Sequence, residues 1–211
     1  MSKSIKYNQY IYDYDKVIKS LERKGKQKFG DAFSFQPYDI LLVKSLAAYF
    51  LQDEVLCRQN EIDLQKGILL SGPIGCGKTS IMQLMQLIPN HQKRFRFKSC
   101  RQISYEFIED GYDVIHKYSR GDIYKTETYA YCFDDLGTES NIKYYGNECN
   151  VLAEILLSRY DLHVNQGLLT HVTTNLSAVE LENTYGNRLR SRLRKMVNLI
   201  SYDKECTDKR K

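Results

Sequence analysis

The chain changes its hydrophobic rhythm near residue 66. Before it, apolar positions recur at helical spacing; after it, short continuous apolar runs alternate with helix-spaced stretches. Residues 14–24 put Val17, Ile18 and Leu21 on one helical face, and Lys24-Gly25-Lys26 reads as a break. Residues 33–37 read as extended. Pro37-Tyr38-Asp39 then opens a helix expected to run to about residue 57, with Leu41, Leu42, Leu46 and Phe50 as its stripe. Gly67-Ile68-Leu69-Leu70-Ser71 is apolar at successive positions, the pattern of a strand buried on both faces. After a glycine-rich loop come a helix over 78–88 closed by Pro89-Asn90, an alternating strand over 95–98, a helix over 102–115 and a buried strand over 129–133. Residues 146–164 predict a long helix with Val151, Leu152, Ile155, Leu156 and Tyr160 inward. Strands over 168–172 and 197–202 flank a basic helix over 187–195. Five strands with intervening helices predict an α/β fold, a doubly wound parallel sheet with right-handed crossovers. The sequence holds no internal repeat and no low-complexity segment.

At 211 residues, with 42% hydrophobic and 27% charged side chains, the chain suits one compact domain with a short appendage. Its longest apolar stretch, residues 40–51, is interrupted by Lys44 and too short to span a bilayer. The N-terminus has no apolar region behind its charges, so a cytoplasmic protein without membrane contact is expected. Six cysteines without a C-x-x-C pair read as reduced, mostly buried thiols. The net charge of +5 is unevenly placed: residues 1–30 hold eight basic against three acidic side chains, and residues 188–211 nine against three. Basic ends around an acidic body fit a polyanion or an acidic partner, or simply two solvated ends.

Candidate chemistry sharpens this. Gly72-Pro73-Ile74-Gly75-Cys76-Gly77-Lys78-Thr79, with Ser80 beside it, lies between a strand and a helix. Gly72, Gly75 and Gly77 allow backbone N–H groups to close on a triphosphate. Lys78 supplies a charge for the outer phosphates, and the Thr79 hydroxyl is placed to ligate Mg2+. Phe133-Asp134-Asp135-Leu136-Gly137 follows a buried strand; Asp134 suits a magnesium ligand, and Asp135 a base orienting the attacking water. The alternative there is a solvated Asp-Asp turn. At the end of Thr170-His171-Val172-Thr173-Thr174-Asn175, Asn175 is either a group beside the γ-phosphate or a helix cap. In Gly186-Asn187-Arg188-Leu189-Arg190-Ser191-Arg192-Leu193, Arg188 and Arg192 share a helix face. They read as a guanidinium offered to a neighbouring subunit, a polyanion-binding face, or a solvated one.

These four motifs, in this order, resemble the AAA+ ATPases of the DnaC/IstB group, bacterial helicase loaders and insertion-sequence ATPases, over roughly residues 35–210. The resemblance implies a P-loop NTPase of AAA+ type with a five-stranded parallel sheet and no helical lid. It implies Walker A at 72–79, Walker B at Asp134 and Asp135, sensor 1 at Asn175, an arginine finger in Arg192 supported by Arg188, and a weak match of Arg210 to sensor 2. It further implies ATP and Mg2+ as cofactors, an ATP-dependent homo-oligomer, DNA (single-stranded by expectation) and a replicative helicase or transposase as partners. Residues 1–34 fall outside it and are expected to form a basic partner-binding segment, leaving 35–211 as the ATPase core. The leading expectation is a DnaC-like helicase loader. The alternatives are an IstB-like transposition ATPase, a small-molecule P-loop kinase, and a nucleotide switch that hydrolyses little because Asp135 is shorter than a glutamate.

Overall fold

The apolar run ahead of the glycine loop forms β1 (Gly67–Ser71), which is central enough to be buried on both faces. In the computed structural model, which describes residues 12–88, 90–120, 128–139, 142–144, 147–203 and 206–209, β1 joins β2 (Arg96–Ser99), β3 (Tyr131–Leu136), β6 (Thr170–Thr174) and β7 (Val197–Ser201). The five strands are all parallel, in the order β2-β3-β6-β1-β7. Successive side chains of a strand point to opposite faces, so the sheet divides the core. Ile68 and Leu70 pack with α1 (Tyr14–Phe29), α2 (Ile40–Leu51) and α4 (Lys78–Met85). Leu69, Phe133 and Val172 pack with α5 (Cys100–Asp110), α6 (Tyr112–Arg120), α7 (Val151–Gln166) and α8 (Ala178–Met196).

Element ends depart from the sequence reading for local reasons. Gly25 does not break α1; the helix runs on to Phe29 with Gly25 buried inside it. The helix expected from Pro37 to residue 57 is three pieces: a 3-10 turn at Pro37–Asp39, α2, and α3 (Glu54–Gln59). Gln52 takes φ 58°, and the Asp53 carboxylate accepts from the Leu56 N–H to start α3. Gly111, at φ 62°, likewise splits the helix expected over 102–115 into α5 and α6. α4 ends at Met85, short of residue 88, and Pro89 lies outside the described residues. The helix expected from residue 146 starts at Val151, capped by Asn150, because a hairpin of β4 (Ile142–Tyr144) and β5 (Asn147–Cys149) precedes it. The basic helix is longer than expected and kinks at Gly186 (φ 81°), after an N-terminus closed by a Ser177/Glu180 capping box. The strand expected over 129–133 runs on through both aspartates to Leu136, and that expected over 168–172 is shifted to Thr170–Thr174. The strand expected over 95–98 moves by a residue to Arg96–Ser99, and that expected over 197–202 starts at Val197 and ends one residue early, at Ser201.

One core residue has no counterpart in the sequence reading. Arg159 of α7 is 1% exposed and donates to the Thr170 hydroxyl (2.8 Å) and to the carbonyls of Tyr118 (2.9 Å), Tyr129 (3.0 Å) and Leu169 (2.9 Å). These neutral acceptors stitch α6, the entry to β3 and the entry to β6 onto α7, and the Tyr131 and Phe133 rings flank the guanidinium. Burial lowers it to about 9, still charged at neutral pH. The cysteines are free thiols; Cys57, Cys76, Cys100 and Cys132 are buried. Among the described residues no helix is long and apolar enough to cross a membrane.

Candidate functional site

The glycine loop sits where β1 gives way to α4, as the sequence placed it. Gly75 and Gly77 take φ 82° and 97°, a region open to glycine at little cost. Lys78, the first residue of α4, is buried, and its Nζ donates to the carbonyls of Gly72 and Pro73 at 2.8 Å each. The loop is hung on the sheet by the Gly72 N–H, which donates to the Thr174 carbonyl (3.3 Å).

Opposite the loop, β3 and β6 meet through a bulge. Phe133 pairs with Val172 and Leu136 with Thr174, so Asp134 and Asp135 together face Thr173 alone. Regular alternation would send the two carboxylates to opposite faces. Here Asp135 adopts φ 57°, in the left-handed region, and lines the cavity. Asp134, 7% exposed, receives the Thr173 hydroxyl (2.6 Å) and the Thr79 hydroxyl (3.0 Å to Oδ1 and 3.1 Å to Oδ2). The Thr173 oxygen in turn accepts the Asp135 N–H (2.9 Å). Burial pushes the Asp134 carboxyl above its ordinary value, with the nearby Asp135 adding to it, against the lowering effect of its hydroxyl donors and Lys78. Asp134 is therefore not a solvated turn residue, whereas Asp135, partly exposed, opens the turn that follows.

The cavity between these walls has a volume of about 830 Å3. Gly75, Gly77, Lys78, Thr79, Ser80, Asp135 and Asn175 all line it. Asn175 is not the cap of α8, a role taken by Ser177. The far wall comes from residues 29–39, including Phe33, Phe35, Tyr38 and Asp39, so the boundary expected at residue 34 falls within a stretch that lines the cavity. A C-terminal strap, Thr207 to Lys209, completes it. The Lys209 N–H donates to the Gly75 carbonyl (3.1 Å), and its ammonium pairs with both oxygens of fully buried Asp39 at 2.7 and 2.6 Å.

No protein-family model matches the sequence, and no curated protein matches it significantly. Solved structures do match. A protein described as a primosome component from Streptococcus pyogenes serotype M3 shares 16% identity over 82% of this chain and 83% of its own, with TM-score 0.52. DnaI shares 17% over 81% of this chain and 88% of its own, at 0.51. AMPPCP-bound DnaA from Aquifex aeolicus shares 15% over 81% of this chain at 0.53, and this chain spans 48% of DnaA's length. The fold is that of the AAA+ P-loop proteins.

In this AAA+ frame the arginines stand apart from the cavity of their own chain. Arg188 is exposed, Arg190 pairs with Glu182, and the Arg192 guanidinium lies 4.9 Å from the Tyr160 ring centre. None of them lines the cavity, and Arg210 lies outside the described residues. Among the described residues no helical lid follows β7. Sequence reasoning missed Thr173, Asp39 and Lys209. Thr173 was visible only as one of several polar residues in β6, Asp39 only as part of a helix start, and Lys209 only as one charge of a basic tail.

Proposed function

We propose that this chain binds ATP with Mg2+ in the cavity, hydrolyses it, and uses the cycle to time an assembly on DNA, as a DnaC-like loader of a replicative helicase. One observation carries the reading: Lys78, Thr79 and Asp135, from two separate stretches of sequence, line one cavity beside a loop shaped for phosphate, with Asp134 bonded to Thr79 behind them. Carbonyl partners of Lys78 are ones a triphosphate would replace with gain, since ionised acceptors bond roughly twice as strongly as neutral ones. DnaA, of the same fold, binds the nucleotide analogue AMPPCP.

The donor set fits a hard divalent cation. Thr79 and Asp134 offer oxygen ligands already within 3.0 Å of each other, and burial leaves that carboxylate short of positive charge. When bound, Mg2+ would neutralise charge on the outer phosphates, with water and phosphate filling the rest of its shell. Among the described residues no group of three or more His, Cys, Asp or Glu side chains could hold a metal. A cation here would come with its nucleotide. Asp135 and Asn175 would orient the attacking water, and Lys209 would add a second cation to Lys78. The primosome component among the matching folds favours replication over an IstB-like role in transposition.

Fluorescent ATP-analogue titration tests the site: Lys78→Ala should weaken binding by about 100-fold, the worth of charge-assisted bonds near 3 kcal/mol. Unchanged affinity would overturn the assignment. Single-stranded DNA should raise phosphate release and bind with steep salt dependence, and ATP should promote transfer of the host's replicative helicase onto that DNA. Failure of transfer with binding intact would remove the loader role alone.

A further inference from the structure

The left-handed backbone of Asp135 (φ 57°) needs something to hold it, since a side chain rarely adopts that region without local support. Its carbonyl accepts from the Thr138 N–H (3.1 Å) and the Thr138 hydroxyl (2.7 Å), closing a tight turn. That turn passes through Gly137 at φ 103°, where a side chain would strike Leu176: an added Cβ would stand 2.5 Å from Leu176 Cδ1. The Gly137 N–H donates to Glu139 Oε2 (2.9 Å). The other oxygen of the same carboxylate, Oε1, accepts the Tyr185 hydroxyl. Tyr185 belongs to the first half of α8 and immediately precedes the Gly186 kink. That half is itself anchored, through the Ser177 capping box and by Asn150 Nδ2, which donates to the Thr184 carbonyl (3.4 Å).

We propose that Glu139 and Tyr185 are positioning residues for Asp135: one carboxylate bridges the turn that aims Asp135 into the cavity and a phenol fixed on α8. The inference rests on Asp135 acting as the water-orienting group. Each Glu139 oxygen takes one donor, one from the turn and one from the helix, so loss of either lets the turn relax toward ordinary extended backbone. The Asp135 carboxylate would then leave the cavity wall while the phosphate loop, on the far side of the cavity, kept its shape. The phenol is well suited to donate, because burial and the adjacent carboxylate push its ionisation up. The neighbouring arginines enter only by geometry. The kink makes Tyr185 the last residue of the anchored half, so the arginine-bearing half starts from a point registered to the Asp135 turn.

The test separates binding from turnover, with magnesium and single-stranded DNA present. Tyr185→Phe and Glu139→Ala should keep ATP affinity within about twofold of wild type and lower single-turnover hydrolysis about tenfold, a change of about 1.4 kcal/mol in barrier. Glu139→Gln, which retains the side-chain shape and one accepting oxygen, should recover part of the rate; a purely space-filling role would leave Tyr185→Phe and Glu139→Gln at the wild-type rate and slow only Glu139→Ala, which also overturns the proposal. Wild-type hydrolysis in both Tyr185→Phe and Glu139→Ala overturns the proposal. So does a loss of ATP binding that parallels the loss of rate, which would mark a general structural role. Asp135→Asn serves as the separate control. Wild-type hydrolysis there overturns the role given to Asp135 itself. A dead Asp135→Asn beside fully active Tyr185→Phe and Glu139→Ala overturns only the positioning pair.

Discussion

Asp134 illustrates how a buried carboxylate is kept for a purpose other than stability. It sits at 7% exposure with two hydroxyl donors and another carboxylate as its sequence neighbour. Burial raises its folded pKa above the ordinary 3.8. The sign follows: the protonated form is favoured by folding, so the group stabilises at low pH and that contribution is lost as pH rises through the folded value. At neutral pH without a cation the charge is therefore a liability. Asp134→Asn keeps an oxygen for the Thr79 and Thr173 hydroxyls and removes the charge. In nucleotide-free, magnesium-free protein it should raise the melting temperature at pH 7 by about 2–4 °C, the shift expected for about 1 kcal/mol in a chain of this size. The gain should vanish towards the acid limit, and hydrolysis should be lost. Thermal melts across pH, with and without magnesium, check both arms. A lowered melting temperature at pH 7 would mean that the carboxylate is held by a favourable field and not by the fold around it.

At the scale of elements, local rules explain most departures from the sequence pattern. β1 was legible because a short apolar run buried on both faces, Gly67 to Leu70, has few other uses. The breaks at Gln52 and Gly111 were not, because capping by Asp53 and a left-handed turn override a continuous helical stripe. Gly25 misled in the opposite direction. Glycine in a helix reads as a stop, but here it makes room: an added Cβ would lie 2.3 Å from the Phe33 ring. Phe33 packs between Phe29 and Phe35, with 5.4 Å between ring centres on each side, and lines the cavity. Gly25→Ala thus sets a helix-propensity gain of about 1 kcal/mol against a displaced ring. It should weaken nucleotide binding about fivefold without loss of helical circular dichroism. In the Phe33→Ala background the same change should have no further effect on affinity, the non-additivity expected of contacting residues. Equal penalties in both backgrounds would show that the glycine acts on the site by another route. The glycine loop and the aspartates were readable because their pattern is local in sequence. The bonds that aim them join residues 38, 46 and 170 positions apart, at Asp135–Thr173, Glu139–Tyr185 and Asp39–Lys209. Nothing in a one-dimensional pattern marks such pairs.

For the whole molecule, the structure changes what the basic C-terminal stretch can be used for. Lys209 is committed to Asp39 at the cavity and Arg190 to Glu182, which removes two charges from any simple polyanion-binding row. Arg188 stays exposed and Arg192 rests on the Tyr160 ring, both away from their own cavity. A guanidinium stacked on an aromatic face is held in direction while keeping donors for a planar anion. On the proposed function, such a group would suit the γ-phosphate of an adjacent subunit, adding a guanidinium to the lysines of the host chain as charge develops in the transition state. Mixed-subunit hydrolysis distinguishes this from a DNA-binding or merely solvated helix. Arg192→Ala and Asp134→Ala should each be inactive alone. Mixed, they form some interfaces in which an intact Asp134 meets an intact Arg192 across the boundary, and hydrolysis should return to about a quarter of wild type if subunits assort freely. Arg192→Lys should not substitute well, since a point charge lacks the two-pronged geometry. If the mixture stays inactive while both variants still assemble with ATP and DNA, Arg192 acts within its own chain or on DNA. A parallel fall in DNA affinity for Arg192→Ala would then identify DNA as its target.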